Sequence, residues 1–243
     1  MKVTDATADR PGLWRGLVDD PKHGPLPALL IVLTVTTGVV DAVSILSLGR
    51  VFVANMTGNV VFVGLALAGS KGFSLAASLS ALGGFLLGAL GGGRAIRQLD
   101  LNRAQLLRDG VAFELGCLVI ALIVAGAVGT PISSDAADAI AAALAIALGI
   151  QNAVVRQLAV PDLTTTVLTM TLTGIAADIQ TARREVVARR ILAVLAMFAG
   201  ATIGALIVLR VNPSAALGLA CFLFAVTLSA ISRSARLSAD WQK

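Results

Sequence analysis

The first long apolar stretch of the chain, residues 27–48, contains an aspartate in its interior. Asp41 follows about 14 apolar or weakly polar residues, and an ionised aspartate at the centre of a membrane helix costs about 2.5–3.5 kcal/mol on insertion scales. A carboxylate kept at that cost usually faces a cavity or a polar partner, and it often handles protons or cations. A protonated carboxyl that only joins two helices is the alternative. The position predicts that Asp41 is a proton- or cation-coupling group.

A second group of polar residues lies in the middle of the next apolar segment, residues 52–69. Asn55, Thr57 and Asn59 surround Gly58. A lipid-facing helix has no use for three hydrogen-bonding side chains, because each unsatisfied polar group in hydrocarbon is costly. Glycine lets the backbone turn sharply or approach a ligand closely, although a tight helix crossing would also select it. The pattern predicts a broken or re-entrant segment that lines a solute pathway.

The segment 163–179 is the threonine-rich part of the chain. Its threonines are Thr164, Thr165, Thr166, Thr169, Thr171 and Thr173. A threonine can bond to its own helix backbone, so a slightly polar buried helix is one interpretation. Six threonines in ten positions cover every helix face, however, and this favours a wet or protein-enclosed environment. We therefore expect Thr169, Thr173 and the adjacent Gly174 to line the same pathway.

Residue types needed for enzyme chemistry are missing from the apolar stretches. The only histidine, His23, lies in the polar N-terminal region, so neither a Ser–His nor a Cys–His pair can form in the apolar part. The glycines between 83 and 93 follow no predicted strand and do not form a phosphate loop. The sequence predicts no catalytic residue, no metal site and no cofactor, and we do not expect an enzyme.

The composition places the chain in a membrane. Of its 243 residues, 57% are hydrophobic and 14% are charged, and its mean hydropathy is +0.89, whereas soluble domains are about 45–50% apolar and roughly 25% charged. The net charge of +5 could indicate a nucleic-acid partner, but basic loops are the usual orientation signal of membrane proteins. We expect an all-α polytopic protein whose partner is the lipid bilayer and not nucleic acid.

Apolar runs and basic loops divide the chain into a membrane domain with a polar tail at each end. The tails are residues 1–25 and 233–243, and the single membrane domain is 26–232. Six runs are long enough to span a bilayer, at about 20 residues each: 27–48, 74–93, 111–130, 137–156, 191–209 and 214–232. The segments 52–69 and 163–181 are predicted to be shorter, non-spanning or discontinuous pieces.

Self-comparison indicates an internal repeat, with one copy over about 27–130 and the other over about 137–232. A shift of 116 residues places Thr57-Gly58 on Thr173-Gly174. The same shift aligns two glycine pairs typical of close helix packing, namely Gly84 with Gly200 and Gly88 with Gly204. A shift of 111 residues aligns Asp41 with Asn152. The counterpart of Asp41 is neutral, so a titrating role would belong to one half only.

The distribution of lysine and arginine indicates how many times the chain crosses the membrane. With six crossings and both termini inside, 16 of these residues are cytoplasmic and 3 are outside, whereas eight crossings would give 12 and 7. The stronger bias favours six crossings. Each half then crosses three times, so the halves have opposite orientations. An inverted repeat with a broken segment in each half is common among secondary transporters.

The run 36–69, with its D-A-V-S and V-x-A-N-M-T-G-N cores, resembles the YoaK-like family of bacterial membrane proteins. The resemblance covers the chain from about 28 to 232 and is most distinctive in A-N-M-T-G-N. It implies about six spans and a location in the bacterial inner membrane. It implies no activity, because the family is a domain-of-unknown-function group.

Three functions are compatible with these patterns. The first is a small-solute permease that works by alternating access, with Asp41 as coupling site and with Asn55, Thr57, Gly58, Asn59 and the 165–174 threonines along the pathway. The second is a passive channel with the same lining. The third is a membrane scaffold or regulatory protein whose glycine faces assemble a homo-oligomer or bind partners. The sequence favours the permease, with an unknown small solute or ion as its ligand.

Overall fold

A computed structural model describes residues 17–178, 180–237 and 240–242 of the chain. These residues are helical and contain no strand. The helices are α1 (Leu26–Ser47), α2 (Met56–Leu67), α3 (Leu75–Gln98), α4 (Arg103–Val128), α5 (Ser134–Leu158), α6 (Thr169–Asp178), α7 (Arg184–Arg210) and α8 (Pro213–Leu237). A short 3-10 helix, Asp240–Gln242, follows.

Six of these helices are long and apolar enough to cross a membrane, as the sequence predicts. They have between 22 and 27 residues, which corresponds to about 33–40 Å at 1.5 Å per residue. The helices α2 and α6 have 12 and 10 residues and reach only about 15–18 Å, too little for the ~30 Å hydrocarbon core. The prediction of six spanning helices and two short segments is confirmed.

Several helices are longer than their apolar runs, and in one case a capping box explains the extension. The span predicted at 111–130 belongs to α4, which begins at Arg103 after a capping box between Asn102 and Gln105. Conversely, the short helices cover only the later part of the segments predicted at 52–69 and 163–181. The residues before α2 and α6 are irregular chain, and they form much of the site described below.

The closest helix pairs join the first half of the chain to the second. The helix α3 lies against α5, and α1 lies against α7. Glycines make both approaches possible: a Cβ at Gly84 would lie 2.6 Å from the Ala142 carbonyl oxygen, and one at Gly88 would collide with the Ile146 carbonyl. At the other crossing, Gly200 and Gly204 face the backbone of α1 in the same way.

Contacts at the two crossings correspond residue by residue. Gly88 contacts Ile146, and Gly200 contacts Val35 in the same way. Gly92 contacts Ile150 and Ala153, and Gly204 correspondingly contacts Val39 and Ala42. Gly149 meets Phe85 and Ala89 as Gly38 meets Met197 and Ala201. These contacts relate α1 to α5 by 111 positions and α3 to α7 by 112 positions. The sequence matches at 116 positions are therefore displaced by about one helical turn from the contacts.

Residues 48–74 leave and return at the same end of the helix bundle. A Cβ at Gly49, just after α1, would lie 3.2 Å from the Ala77 side chain in the first turn of α3. Since α1 ends where α3 begins, the chain between them does not cross. We call residues 48–74 the first re-entrant segment.

Residues 159–183 behave in the same way at the other end of the bundle. Asp162, just after α5, is bonded to Arg190 in the second turn of α7, so α5 ends where α7 begins. We call residues 159–183 the second re-entrant segment. The start of α4 and residues 20–23 lie at this end too, because Arg103 bonds to the Leu158 carbonyl and approaches His23. We call it the basic end.

Candidate functional site

The carboxylate of Asp41 joins α1 to the first re-entrant segment. Its Oδ1 accepts hydrogen bonds from the backbone N–H groups of Val53 and Ala54, each at 3.3 Å. These amides are free because residues 51–55 precede α2 and are not helical. The second oxygen, Oδ2, makes no hydrogen bond within the described part of the chain, and Asp41 is half-buried. The carboxylate is thus held at one oxygen and open at the other.

A buried asparagine folds the first re-entrant segment back on itself. Asn59, which is 0% exposed, accepts a bond from the Phe52 N–H at 2.9 Å and donates to the Phe52 carbonyl at 2.6 Å. The ring of Phe52 stacks on Phe62, with centroids 5.8 Å apart. A Cβ at Gly58 would lie 2.6 Å from the Phe52 ring. Gly58 therefore makes room for this ring.

In the second half, two neighbouring amides of α5 hold the chain that precedes α6. Gln151, 1% exposed, donates through Nε2 to the hydroxyls of Thr165 at 2.9 Å and Thr37 at 3.2 Å. Asn152 donates through Nδ2 to the Thr166 hydroxyl at 2.6 Å. The bond to Thr37 connects α5 directly to α1, so the two halves share one polar cluster at the crossing of their first helices.

The hydrogen-bond network determines which way these amides point. The Thr37 hydroxyl gives its only proton to the Leu33 carbonyl at 3.0 Å, and the Thr166 hydroxyl faces the Thr164 carbonyl at 3.4 Å. Each hydroxyl is then left with acceptor lone pairs. The nitrogen of Gln151 faces Thr37 and that of Asn152 faces Thr166, so both amide oxygens point elsewhere.

The polar contacts of the two halves correspond at the same offsets as the helix crossings. Asp41 binds Val53 and Ala54, while Asn152 and its neighbour Gln151 bind Thr166 and Thr165, 112 positions after Ala54 and Val53. Asn59 and Thr171, also 112 positions apart, are the buried residues of α2 and α6. Arg50 and Asp162 correspond as well, and both have positive φ, 59° and 65°.

A single arginine, Arg190, holds the second re-entrant segment against α7. Arg190 on α7 forms ion pairs with Asp162 at 2.8 Å and Asp178 at 2.9 Å, and it donates to the Gly174 carbonyl at 2.7 Å. A Cβ at Gly174 would lie 2.7 Å from the guanidinium carbon, so the glycine admits the arginine. Position 78, 112 residues before Arg190, is a buried serine whose hydroxyl has no partner in the described chain.

The predicted site residues divide into two groups. The polar cluster contains Asp41 and Asn152, and Asn59 supports it through Phe52. Asn55 is the half-buried residue before α2 and makes no capping bond. Thr57, Thr169 and Thr173 lie on exposed faces of the short helices, and the Thr173 hydroxyl bonds to the carbonyl of Thr169 on its own helix. These three are not among the partners of Asp41, Gln151 or Asn152.

Some polar residues of the membrane region were not identified as candidate site residues from the sequence. Glu114 of α4 is 1% exposed and its Oε2 has no partner in the described chain. The signal that singles out Asp41, a carboxylate inside an apolar run, identifies Glu114 equally well. Arg190 gave no such signal, because it stands in a basic cluster at the edge of a span. Thr37 and Gln151 could be found only from their mutual contact.

Two surface depressions lie away from the polar cluster. One, of about 430 Å³, is bordered by Arg50 and residues 72–74 at the end opposite the basic end. The other, of about 270 Å³, lies at the basic end between α4, α8 and Gln242. Neither is bordered by Asp41 or Gln151. Over the described residues, no group of three or more His, Cys, Asp or Glu side chains could hold a metal ion.

Outside the spans, a charged network lies before α1. Asp20 is paired with Arg189 at 2.9 Å. Burial raises the pKa of Asp20, but hydrogen bonds from the backbone of Lys22 and His23 and from Arg189 outweigh it, so the pKa is lowered. The pKa of His23 is also lowered, first by burial and then by the charge of Arg103. His23 accepts a 3.0 Å bond from Arg103 at Nδ1, which requires that nitrogen to be unprotonated.

Comparison with known proteins agrees with this architecture. The model of the family described as "Protein of unknown function (DUF1275)" matches residues 29–230. The UPF0700 transmembrane protein YoaK of Bacillus subtilis (strain 168) is 34% identical over 153 residues, which cover 62% of this chain and 66% of that protein. The aligned part is thus slightly less than two thirds of the relative. No solved structure matches.

Proposed function

The chain belongs to the DUF1275 family of multi-pass membrane proteins, and from this premise we propose that it is a small-solute permease. In this proposal the protein lies in the bacterial inner membrane and carries out transport by alternating access, not catalysis. Its binding site is the polar cluster at the crossing of α1 and α5, and Asp41 is the group that binds the coupling proton or cation.

The observation that carries the proposal is the position of the Asp41 carboxylate. It lies inside a spanning helix and is attached to the backbone of a re-entrant segment. Any movement of that segment must change the hydrogen bonds of the carboxylate. Any change in the protonation of the carboxylate must likewise change the strength of its hydrogen bonds to the segment. This is the link between ion binding and gate movement that coupled transport requires.

The correspondence between the two halves supports an inverted repeat. The first re-entrant segment is at one end of the bundle and the second is at the other, yet both are attached to the central crossing by equivalent residues. In transporters with inverted repeats, broken segments of this kind meet near the membrane midplane and one half moves against the other. We therefore assign the first segment as the gate of one end and the second as the gate of the other.

Orientation follows from charge. The basic end, together with the terminal tails, carries 16 of the 19 lysines and arginines, and such residues are retained on the cytoplasmic side. We propose that the basic end and both termini are cytoplasmic. The first re-entrant segment then opens to the outside and the second to the cytoplasm.

The test is transport by the purified protein in proteoliposomes on a solid-supported membrane, with solutes of different charge applied in turn. A permease gives transient currents that depend on a pH or sodium gradient, and Asp41→Asn abolishes that dependence. Currents that need no coupling gradient and are unchanged in Asp41→Asn would indicate a channel instead. A protein that carries no solute and tolerates Asp41→Asn would be a scaffold. Enlarging Gly88 does not test that interpretation, because Gly88 packs against Ile146 of its own chain.

A further inference from the structure

The polar cluster at the crossing of α1 and α5 has used most of its hydrogen-bond donors within the protein. Both amide protons of Gln151 go to threonine hydroxyls, and Asn152 donates to a third. The hydroxyl of Thr37 donates to its own helix, and the amides of Val53 and Ala54 donate to Asp41. Asn59 is occupied at both its oxygen and its nitrogen.

Most of the groups that the cluster leaves without a partner in the described chain are hydrogen-bond acceptors. The Oε1 atom of Gln151 is fully buried and has no partner in the described chain. Neither Oδ2 of Asp41 nor Oδ1 of Asn152 takes part in any hydrogen bond of the described residues. The donors that remain are all neutral: the second amide proton of Asn152, the Thr165 hydroxyl and the Asn55 amide.

These acceptors lie close together along the helix axis. Asp41 is four residues after Thr37 and therefore on the same face of α1, about 6 Å farther along. Thr37 is bonded to Gln151, and Asn152 is the next residue. The Asp41 carboxyl is thus about one helical turn along α1 from the residue that Gln151 binds.

An ionised Asp41 has no counter-charge among the residues that the structure describes. The ion pairs of the described chain involve Asp20, Asp109, Asp162 and Asp178, and none involves Asp41. An ionised carboxylate without a counter-charge at this depth is unfavourable by several kcal/mol. A bound cation would supply the missing charge, whereas an anion would meet a like charge and a row of acceptors.

Resting on the permease function proposed above, we propose that the transported solute is a cation rich in hydrogen-bond donors, of the amine or guanidine class. Its donors would bind the free oxygens of Asp41, Gln151 and Asn152. The buried Gln151 oxygen makes the selection strong, because a donor that satisfies it recovers the desolvation cost of an unpaired buried acceptor. Anions and solutes that only accept hydrogen bonds are excluded.

Three planar probes of similar size separate these chemistries: guanidinium has donors only, urea has both donors and an acceptor, and nitrate has acceptors only. Binding of each to the full chain in lipid nanodiscs is measured by isothermal titration calorimetry at constant ionic strength. Guanidinium is expected to bind more tightly than urea, and nitrate is expected not to bind. Equal binding of the three, tighter binding of urea or nitrate, or no binding of guanidinium to folded protein would overturn the inference.

Variants locate the binding. Asp41→Asn keeps the size of the side chain and its acceptor for the Val53 and Ala54 amides, and it should weaken guanidinium binding at least tenfold. Gln151→Met removes the amide at similar volume and should weaken it about fivefold or more, as the loss of a buried hydrogen bond implies. Ser229→Ala, at an exposed hydroxyl bonded to its own helix, is the control and should bind as the unaltered chain does.

A reduced affinity counts only if the variant elutes as folded protein and melts within a few degrees of the unaltered chain. Because Gln151→Met also frees two threonine hydroxyls, Asp41→Asn provides the second measurement if that variant unfolds. Guanidinium affinity unchanged in folded Asp41→Asn would overturn the inference.

Flux separates this inference from the function on which it rests. Guanidinium that binds through Asp41 but does not cross proteoliposome membranes would refute the permease and leave the binding chemistry intact. Uptake of nitrate or another anion that depends on Asp41 would support the permease and refute the cation assignment.

Discussion

The two re-entrant segments have equivalent positions in the fold but are held by different chemistry. The first is held by neutral contacts: Asn59 clamps Phe52, and Phe52 stacks on Phe62. The second is held by charge, through Arg190 and its two aspartates. At the position that corresponds to Asp162 the first segment has Arg50, which forms no ion pair with any described residue.

This difference indicates which of the two re-entrant segments is held by contacts that are more sensitive to pH and salt. Hydrogen bonds from a buried asparagine and stacked rings depend little on pH or salt, whereas partly exposed ion pairs weaken with both. The first re-entrant segment is therefore held by contacts that pH and salt change little. The second, at the basic end, is held by contacts that the aqueous phase on its side can weaken.

The largest expected effect concerns the crossings that the two halves share. Gly88→Leu and Gly200→Leu should each prevent folding, because the new Cβ collides with a backbone carbonyl that no rotamer change can move. Gly83→Leu, on the same helix as Gly88 but with nothing within 4 Å, is the matched control. Fluorescence-detected size exclusion of the three variants is the measurement. Folded Gly88→Leu beside unfolded Gly200→Leu would break the equivalence of the two crossings.

The second-largest expected effect concerns the buried residue that anchors each re-entrant segment. Asn59→Ala should destabilise the protein by about 2–4 kcal/mol, because the N–H and carbonyl of Phe52 each lose their partner. Thr171→Ala, the corresponding change in α6, removes a smaller side chain and should cost under about 1 kcal/mol. Thermal melts in one detergent compare the two. Equal losses would mean that the segments are anchored alike.

The third-largest expected effect tests the ion pairs that hold the second re-entrant segment. Arg190→Gln removes both ion pairs and should speed amide hydrogen exchange in residues 163–178 by on the order of tenfold, since local opening sets that rate. Exchange in residues 51–67 should not become faster, and alternating access predicts that it becomes slower. Arg50→Gln is the matched variant in the first segment and should alter neither region. If Arg190→Gln left 163–178 as protected as before, the ion pairs would not be what holds that gate.

The smallest expected effect is the pH dependence of the charged network before α1. The pKa of His23 is lowered in the folded state by burial and by Arg103, so the unfolded chain binds the proton more readily. Stability from this site is present above the ordinary histidine pKa of 6.5 and decreases as pH falls below it. Melting temperatures between pH 7.5 and pH 5.5 should show a decrease that His23→Gln reduces. An equal decrease in both proteins would exclude His23 as its source.

Much of the fold could be predicted from the sequence because hydrophobic length is a strong signal. Six runs near 20 residues gave six spans, and the polar residues around Gly58 marked a segment that could not face lipid. Asp41 was found for the same reason, since a charge within an apolar run is conspicuous. These properties are local, and a single stretch of sequence contains them.

The contacts between distant residues could not be predicted. The sequence match of Thr57-Gly58 with Thr173-Gly174 differs by a turn from the contacts, because glycine and threonine recur often enough in this chain to align by composition. The two glycines were expected to allow the close approach of a ligand. Instead, Gly58 makes room for the ring of Phe52, and Gly174 makes room for the guanidinium of Arg190. Thr173 was expected in the pathway, yet its hydroxyl bonds to its own helix, as an isolated threonine in a helix can.

The most direct test of the account compares the accessibility of two single cysteines in a chain without Cys117 and Cys221. One replaces Asn55 beside the first gate and is labelled from outside the cell, and the other replaces Thr165 beside the second gate and is labelled from the cytoplasmic side. With Arg190→Gln added, alternating access predicts faster labelling at Thr165 and slower labelling at Asn55. Faster labelling at both positions, or no change at Asn55, would contradict alternating access.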